Sequence, residues 1–145
     1  MKITLKWLED HRACCNGKIW FSTQNEIDMR KLAKLAIECE RFNDVNWVLT
    51  RLMSHKQNVQ YACYSAKQSL HIFERTYPKD KRPRLAIKAA LEWVKNPTDA
   101  NQPAASAAMS AESAAGSAVW SAESAAASAA WKRVLKYGLR LVKDI

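Results

Sequence analysis

Apolar residues recur along this chain at three- and four-residue spacing, and no segment alternates apolar and polar positions over strand length. Thr4 suits an N-cap for a short helix over Leu5–His11, and Asn16-Gly17 predicts a turn before the large apolar anchors Trp20 and Phe21. A long helix is expected from near Asn25, with Leu32, Leu35, Ala36, Cys39 and Phe42 on one face. Asn43-Asp44 interrupts it and caps the next helix, where Val45, Val48, Leu49 and Leu52 repeat the pattern. Lys56-Gln57-Asn58 reads as a second break. Beyond it Val59, Ala62, Cys63, Ala66, Leu70 and Phe73 form the cleanest amphipathic stripe in the chain. Tyr77 to Arg82 is a polar connection, and Pro83 suits the first turn of a helix running to about Lys95. Ala86, Ala89, Ala90, Trp93 and Val94 face inward on it, and Asn96-Pro97 stops it. The expected fold is all-α, a single-domain bundle of six or seven helices.

The end of the chain has a different texture. Residues 98–131 hold 15 Ala and 7 Ser, and MSAESAAGSAV (109–119) is followed by WSAESAAASAA (120–130). An eleven-residue period is three helical turns, so Met109, Trp120 and Trp131 fall on one stripe, with a serine stripe beside it and an alanine face opposite. One helix over 104–137 would run ~50 Å, against a radius of gyration of ~15 Å for a domain of this size. A break near Gly116, folding the repeats into a hairpin, is the favoured expectation over a long projecting helix. The 145 residues therefore read as one domain, with amphipathic helices over 1–97 and an Ala/Ser-rich segment with a basic C-terminal helix over 98–145. Close helix packing explains the alanine face, which could also pair two copies, so a monomer or a homodimer fits.

Charge sharpens the picture. The chain carries 23 Lys and Arg against 14 Asp and Glu, a net +9. By segment the balance is +1 over 1–50, +7 over 51–97, −3 over 98–131 and +4 over 132–145. The surplus thus sits on Arg75, Lys79, Lys81, Arg82 and Arg84 and on Lys132, Arg133 and Lys136. These are the candidate partner- or phosphate-binding residues, with Trp120 and Trp131 as candidates for an aromatic patch. If the two groups meet they form a surface for phosphates or an acidic protein; otherwise they are a solvated surface. Arg84 could equally pair with Asp80 or Glu92.

The chemistry of most enzymes is missing. There is no GxxxxGK[ST], GxGxxG or GxSxG. His11, Cys14, Cys15 and Cys39 lack the second ligand pair that zinc sites show, and His11, His55 and His71 are not spaced as helical metal ligands. His71 and Glu74, three apart on one helix, read as a surface hydrogen bond. No catalytic residue, metal or cofactor is assigned. The charged N-terminus lacks a signal-peptide stretch, and Ala/Ser residues 100–131 carry Glu112 and Glu123, too polar to insert in a membrane. With adjacent Cys14-Cys15 poorly placed to bridge, a reduced, cytoplasmic protein is expected.

The stretch HIFERTYPKDKRPRLAIKAALEWVKNP (71–97), running into an Ala-rich tail, resembles the immunity proteins of bacterial polymorphic-toxin systems. The opening ITLKWLEDHRACCNGKIWF (3–21) is similar to the start of small bacteriophage proteins with the same body plan. The most specific positions are Phe73-Glu74, Tyr77-Pro78, Asp80, Arg82 to Ile87, and Trp93; Cys14-Cys15 and the serine-rich tail depart from the pattern. The resemblance implies an all-helical protein of the bacterial host cytoplasm that works by binding. It would occlude a toxin, or block a host defence effector in the manner of an anti-CRISPR inhibitor. The alternative is sequestration of a phosphorylated ligand, a nucleotide signal, or binding of nucleic acid through a basic surface. That alternative requires Arg82, Arg84, Lys132 and Arg133 to converge on one pocket.

Overall fold

The computed structural model describes residues 1–97 and 124–143, and among them the secondary structure is seven helices and one isolated bridge. The helices are α1 (Leu5–Asp10), α2 (Cys15–Ser22), α3 (Met29–Glu38), α4 (Phe42–Leu52), α5 (His55–Thr76), α6 (Arg82–Lys95) and α7 (Ser124–Leu141). The fold is all-α. The expected break near Gly116, the serine and alanine stripes before Ser124, and Trp120 lie outside the described residues.

Capping side chains decide where the helices begin. The Thr4 hydroxyl accepts the Trp7 N–H at 3.1 Å and starts α1, as expected. Asn16-Gly17 is not a turn but the first turn of α2, because the Cys14 sulfur takes the N-cap role and accepts the Gly17 N–H at 3.3 Å. The next helix begins at Met29 rather than near Asn25, with the Asp28 carboxylate accepting from the Arg30 and Lys31 amides. Asn43-Asp44 lies inside α4, not before it. Likewise Lys56-Gln57-Asn58 is no break. Ser54 and Gln57 form a capping box, and these residues open the 22-residue α5. Their amides serve distant backbone as well: Asn58 donates to the Thr50 and Met53 carbonyls, and Gln57 donates to the Leu141 carbonyl at 2.6 Å. Two polar side chains thereby satisfy orphan carbonyls at the ends of both α4 and α7.

Two helices end on residues in the left-handed region, Arg12 at φ 58° and Glu40 at φ 54°. Both are Schellman ends. Ala13 N–H bonds Leu8 O and Arg12 N–H bonds Glu9 O, while Arg41 N–H bonds Ala36 O and Glu40 N–H bonds Ile37 O. Glycine is the usual occupant of that position, since a Cβ there costs about 1–2 kcal/mol. Glu40 has a partner across the fold, accepting from the Ser128 hydroxyl at 3.4 Å.

The buried side chains fall into two clusters that share α5. The larger joins Ile3, Leu8, Leu32, Ala36, Val45, Leu49 and Tyr61 with Leu135 and Val142 of the C-terminal region. On α3 the buried stripe is Met29, Leu32, Ala33 and Ala36; Leu35 and Cys39, expected inside, are exposed. The smaller cluster packs Val59, Cys63 and Ala66 of α5 against Ile87, Ala90, Trp93 and Val94 of α6. Ala89, expected inward, faces solvent, and Ile87 takes the core position instead.

Helix α7 seats between α4 and α5 through Gly138. A Cβ there would stand 2.8 Å from both Leu49 Cδ1 and Tyr61 Cε2. The Tyr61 ring has little room to yield, because its hydroxyl donates to Asn46 Oδ1 at 2.8 Å and the residue is 2% exposed. Next to this contact Tyr137 stacks on Tyr64, centroids 4.2 Å apart. Gly138→Val is expected to lower the unfolding free energy by about 2–3 kcal/mol through overpacking, read by urea denaturation. Gly138→Ala should lose about 1 kcal/mol, because helix propensity returns part of the overpacking loss. Glu40→Gly should move the same measurement the other way, raising stability by about 1 kcal/mol.

Candidate functional site

The turn between α5 and α6 concentrates the basic candidates. Arg75 lies in the last turn of α5, Lys79 and Lys81 in the connection, and Arg82 and Arg84 in the first turn of α6; all five are exposed. The connection is shaped by two guanidinium forks. Arg82 clasps Asp80, with Nε 3.0 Å from Oδ1 and Nη2 2.7 Å from Oδ2. The Arg82 backbone N–H adds a third bond to the same carboxylate at 3.0 Å. Arg84 reaches back to α5 and clasps Glu74, Nε to Oε1 and Nη2 to Oε2, both at 2.7 Å. The pairings suggested by sequence, Arg84 with Asp80 or Glu92 and Glu74 with His71, give way to this one. Glu92 is taken by Lys95 at 3.0 Å.

Bidentate forks are the strong geometry for an arginine–carboxylate pair. The Arg82 side chain and then its backbone amide hold the Asp80 carboxyl down at about 2. The Arg84 fork lowers Glu74 from the ordinary glutamate range. The arginines are raised in turn by the same partners. The arginine of each pair is exposed and its carboxylate only partly so, and ion pairs open to water on one side shape the turn more than they stabilise the fold. Arg75, Lys79 and Lys81 make no salt bridge with a described residue.

Two apolar side chains share this tip. Tyr77 is 57% exposed and Leu85 60% exposed, the Tyr77 ring leaning on Phe73 with centroids 5.1 Å apart. The sequence reading did not count them among its site residues. Leu85 carried a signal, since it falls off the Ile87, Ala90 and Val94 stripe of its own helix.

The second basic group sits elsewhere. Lys132, Arg133 and Lys136 are exposed on α7, and Arg133 Nε donates to Gln68 Oε1 of α5 at 3.2 Å. Gln68 and Glu74, the anchor points of Arg133 and Arg84, are ~9 Å apart along α5 and ~120° apart around it. Arg84 and Arg133 thus meet the central helix at separate points on different sides. Trp131 is half-buried, stacked on Phe42 at 6.3 Å between centroids and packed against the larger cluster. Among the described residues no three His, Cys, Asp or Glu side chains are grouped to hold a metal ion. Cys14, Cys15 and Cys39 are exposed and Cys63 is buried, and Cys39 sits at a helix end rather than on an apolar face. No helix among them is long and apolar enough to cross a membrane.

Residues 49–134, from the end of α4 into α7, match the family model described as Imm-5 like putative immunity protein. The chain belongs to that family. The match takes in the whole α5–α6 pair with its tip, and it leaves α1, α2 and α3 outside. No curated protein and no solved structure matches the chain. Membership brings the general role of the Imm-5 like family, inhibition of a toxin by binding, which is in general not catalytic.

Because the folded Asp80 carboxyl is depressed to about 2, its contribution is complete above the unfolded aspartate value near 3.9 and fades as pH falls through 2. An NMR titration of the side-chain carboxyl should show that midpoint, and Arg82→Ala should raise it toward the ordinary aspartate range, with the backbone N–H of residue 82 still holding it below. Arg84→Ala should likewise raise Glu74 and leave Asp80 where it was.

Proposed function

We propose that this Imm-5 like protein neutralises a protein effector by covering an acidic surface with the α5–α6 tip. The observation that carries the reading is composition at one place. Tyr77 and Leu85 are more than half exposed among Arg75, Lys79 and Lys81, which form no salt bridge with a described residue. Tyrosine and arginine are enriched among residues that dominate binding energy, and an apolar centre ringed by cations fits an acidic partner. The forks at Asp80 and Glu74 hold the turn in one shape before binding, which lowers the ordering entropy lost on association. The effector is a polymorphic toxin or, in the version resembling bacteriophage proteins, a host defence component blocked in the manner of an anti-CRISPR inhibitor. The setting is the bacterial cytoplasm, with the chain acting as monomer or homodimer.

Sequestration of a nucleotide signal or binding to nucleic acid has less support. Arg82 and Arg84 already commit their forks to carboxylates, and Arg133 meets α5 on another side, at Gln68. A phosphate would have to displace Asp80 and Glu74 to gain the same two-pronged contact.

The test is capture from host lysate by the full chain, run beside a Tyr77→Ala/Leu85→Ser variant and a Lys79→Glu/Lys81→Glu variant. A specific protein retained by wild type should be lost from the first and weakened at least tenfold in the second. Added salt should slow its association more than its release. Retention by both variants, or a rise in melting temperature with ATP or cyclic dinucleotides and no captured protein, would overturn the reading.

A further inference from the structure

The outer face of α7 carries charge that the fold does not use. Lys132, Lys136 and Arg140 are exposed at four-residue spacing, each ~40° round the helix from the last, so they form one ridge ~12 Å long. Arg133 flanks the ridge, its Nε donating to the neutral Gln68 side chain, and Lys143 follows, exposed, in the turn after the helix. None of these five forms a salt bridge with a described residue. Residues 124–143 contain no carboxylate. The described carboxylate bonded to α7, Glu40, meets it at Ser128, about a turn before the ridge begins.

Helix electrostatics and solubility leave the ridge unexplained. Cations favour the negative end of a helix dipole, but that effect fades within the last turn, which holds Arg140 and not Lys132 or Lys136. Like charges four residues apart repel, so the pairs Lys132–Lys136 and Lys136–Arg140 oppose the helix rather than support it. Solubility is served as well by charges of mixed sign, without that repulsion.

What the ridge lacks decides which partner it fits. Every large apolar side chain of α7 is buried in the larger cluster or packed against it, Trp131, Tyr137 and Leu139 included. A protein partner would be held by an aromatic or aliphatic centre, a single strand by stacking on exposed rings, and a lipid surface by an inserted apolar side chain. Bare cations in a row offer attraction to closely spaced phosphates, which is how proteins hold duplex DNA without reading its sequence. A duplex carries one charge per ~1.7 Å of its axis, so the ridge faces about seven phosphates. Lysine and arginine have no acceptor with which to read a ribose hydroxyl, so nothing on the ridge singles out RNA.

We propose that the outer face of α7 binds the phosphate backbone of duplex DNA, without sequence preference, through Lys132, Lys136 and Arg140. This surface is separate from the effector-binding tip. It asks for no convergence with Arg82 and Arg84, and either site can fail without the other.

The test is fluorescence anisotropy of the full chain with two labelled duplexes of unrelated sequence, each about 24 base pairs, between about 50 and 200 mM salt. Both should bind equally, with log affinity falling against log salt at a slope of about −3, as three or four neutralised phosphates require. Lys132→Gln/Lys136→Gln should weaken binding at least tenfold at the lower salt and flatten the slope by about 2. Its thermal melting should be no lower than wild type, because the repulsion is relieved. Lys79→Gln/Lys81→Gln, which removes the same net charge from the tip, should bind within about threefold of wild type. No binding at tens of micromolar protein in the lower salt, equal weakening by the two glutamine pairs, tighter binding to single strands, or a more than tenfold preference for one sequence would each overturn the proposal.

Discussion

The arrangement depends on how closely α7 approaches α4 and α5. Gly138 has no side chain, and the space a Cβ would need is filled by Leu49 and Tyr61. From that contact the remaining placements follow. Leu135 and Val142 reach the larger cluster, Tyr137 meets Tyr64, and the last carbonyl of α7 receives the Gln57 amide. Dispersion falls off steeply with distance, so a displacement of even 1 Å would weaken all of these together. The C-terminal helix is for this reason part of the core and not an appendage to it.

Helix α5 is the shared member of both clusters, with Tyr61 turned toward α7 and Val59, Cys63 and Ala66 toward α6. Small residues at Ala66 and Ala90 let α5 and α6 lie close, and Trp93 closes the far end with its ring edge-on to His55. At the other end the chain reverses, the Glu74–Arg84 fork joins the two helices, and the charged residues gather. A rigid pair with a decorated turn is a suitable support for recognition, since the helices position the turn without being part of the contact.

Periodicity made α5, α6 and the all-α class legible, and Pro83 marked the start of α6 because its fixed φ suits the first turn. What escaped were features whose partners lie far away in sequence. Lys56-Gln57-Asn58 looked like a break since polar clusters usually are. Their amides instead bond carbonyls of α4 and α7, a demand visible only once those helix ends are brought near. Asn16-Gly17 was misleading for a related reason, as a cysteine rather than a more common capping residue starts α2. On α3 the periodicity placed Leu32 and Ala36 inside as found but put Leu35 there in place of Ala33, because both fit the same periodic pattern and only the facing helices choose between them. At the tip the basic residues were readable from charge, but the pairing of Arg84 with Glu74 needs the chain reversal between them.

The forks at the tip close locally. Asp80 and Arg82 are two residues apart, and Glu74 and Arg84 flank the same short connection, so the turn keeps its shape with no help from either buried cluster. Lys79, Lys81, Tyr77 and Leu85 can then be exchanged with little effect on packing. Such a division lets substitutions at these four positions remake the surface of the tip without the scaffold having to refold.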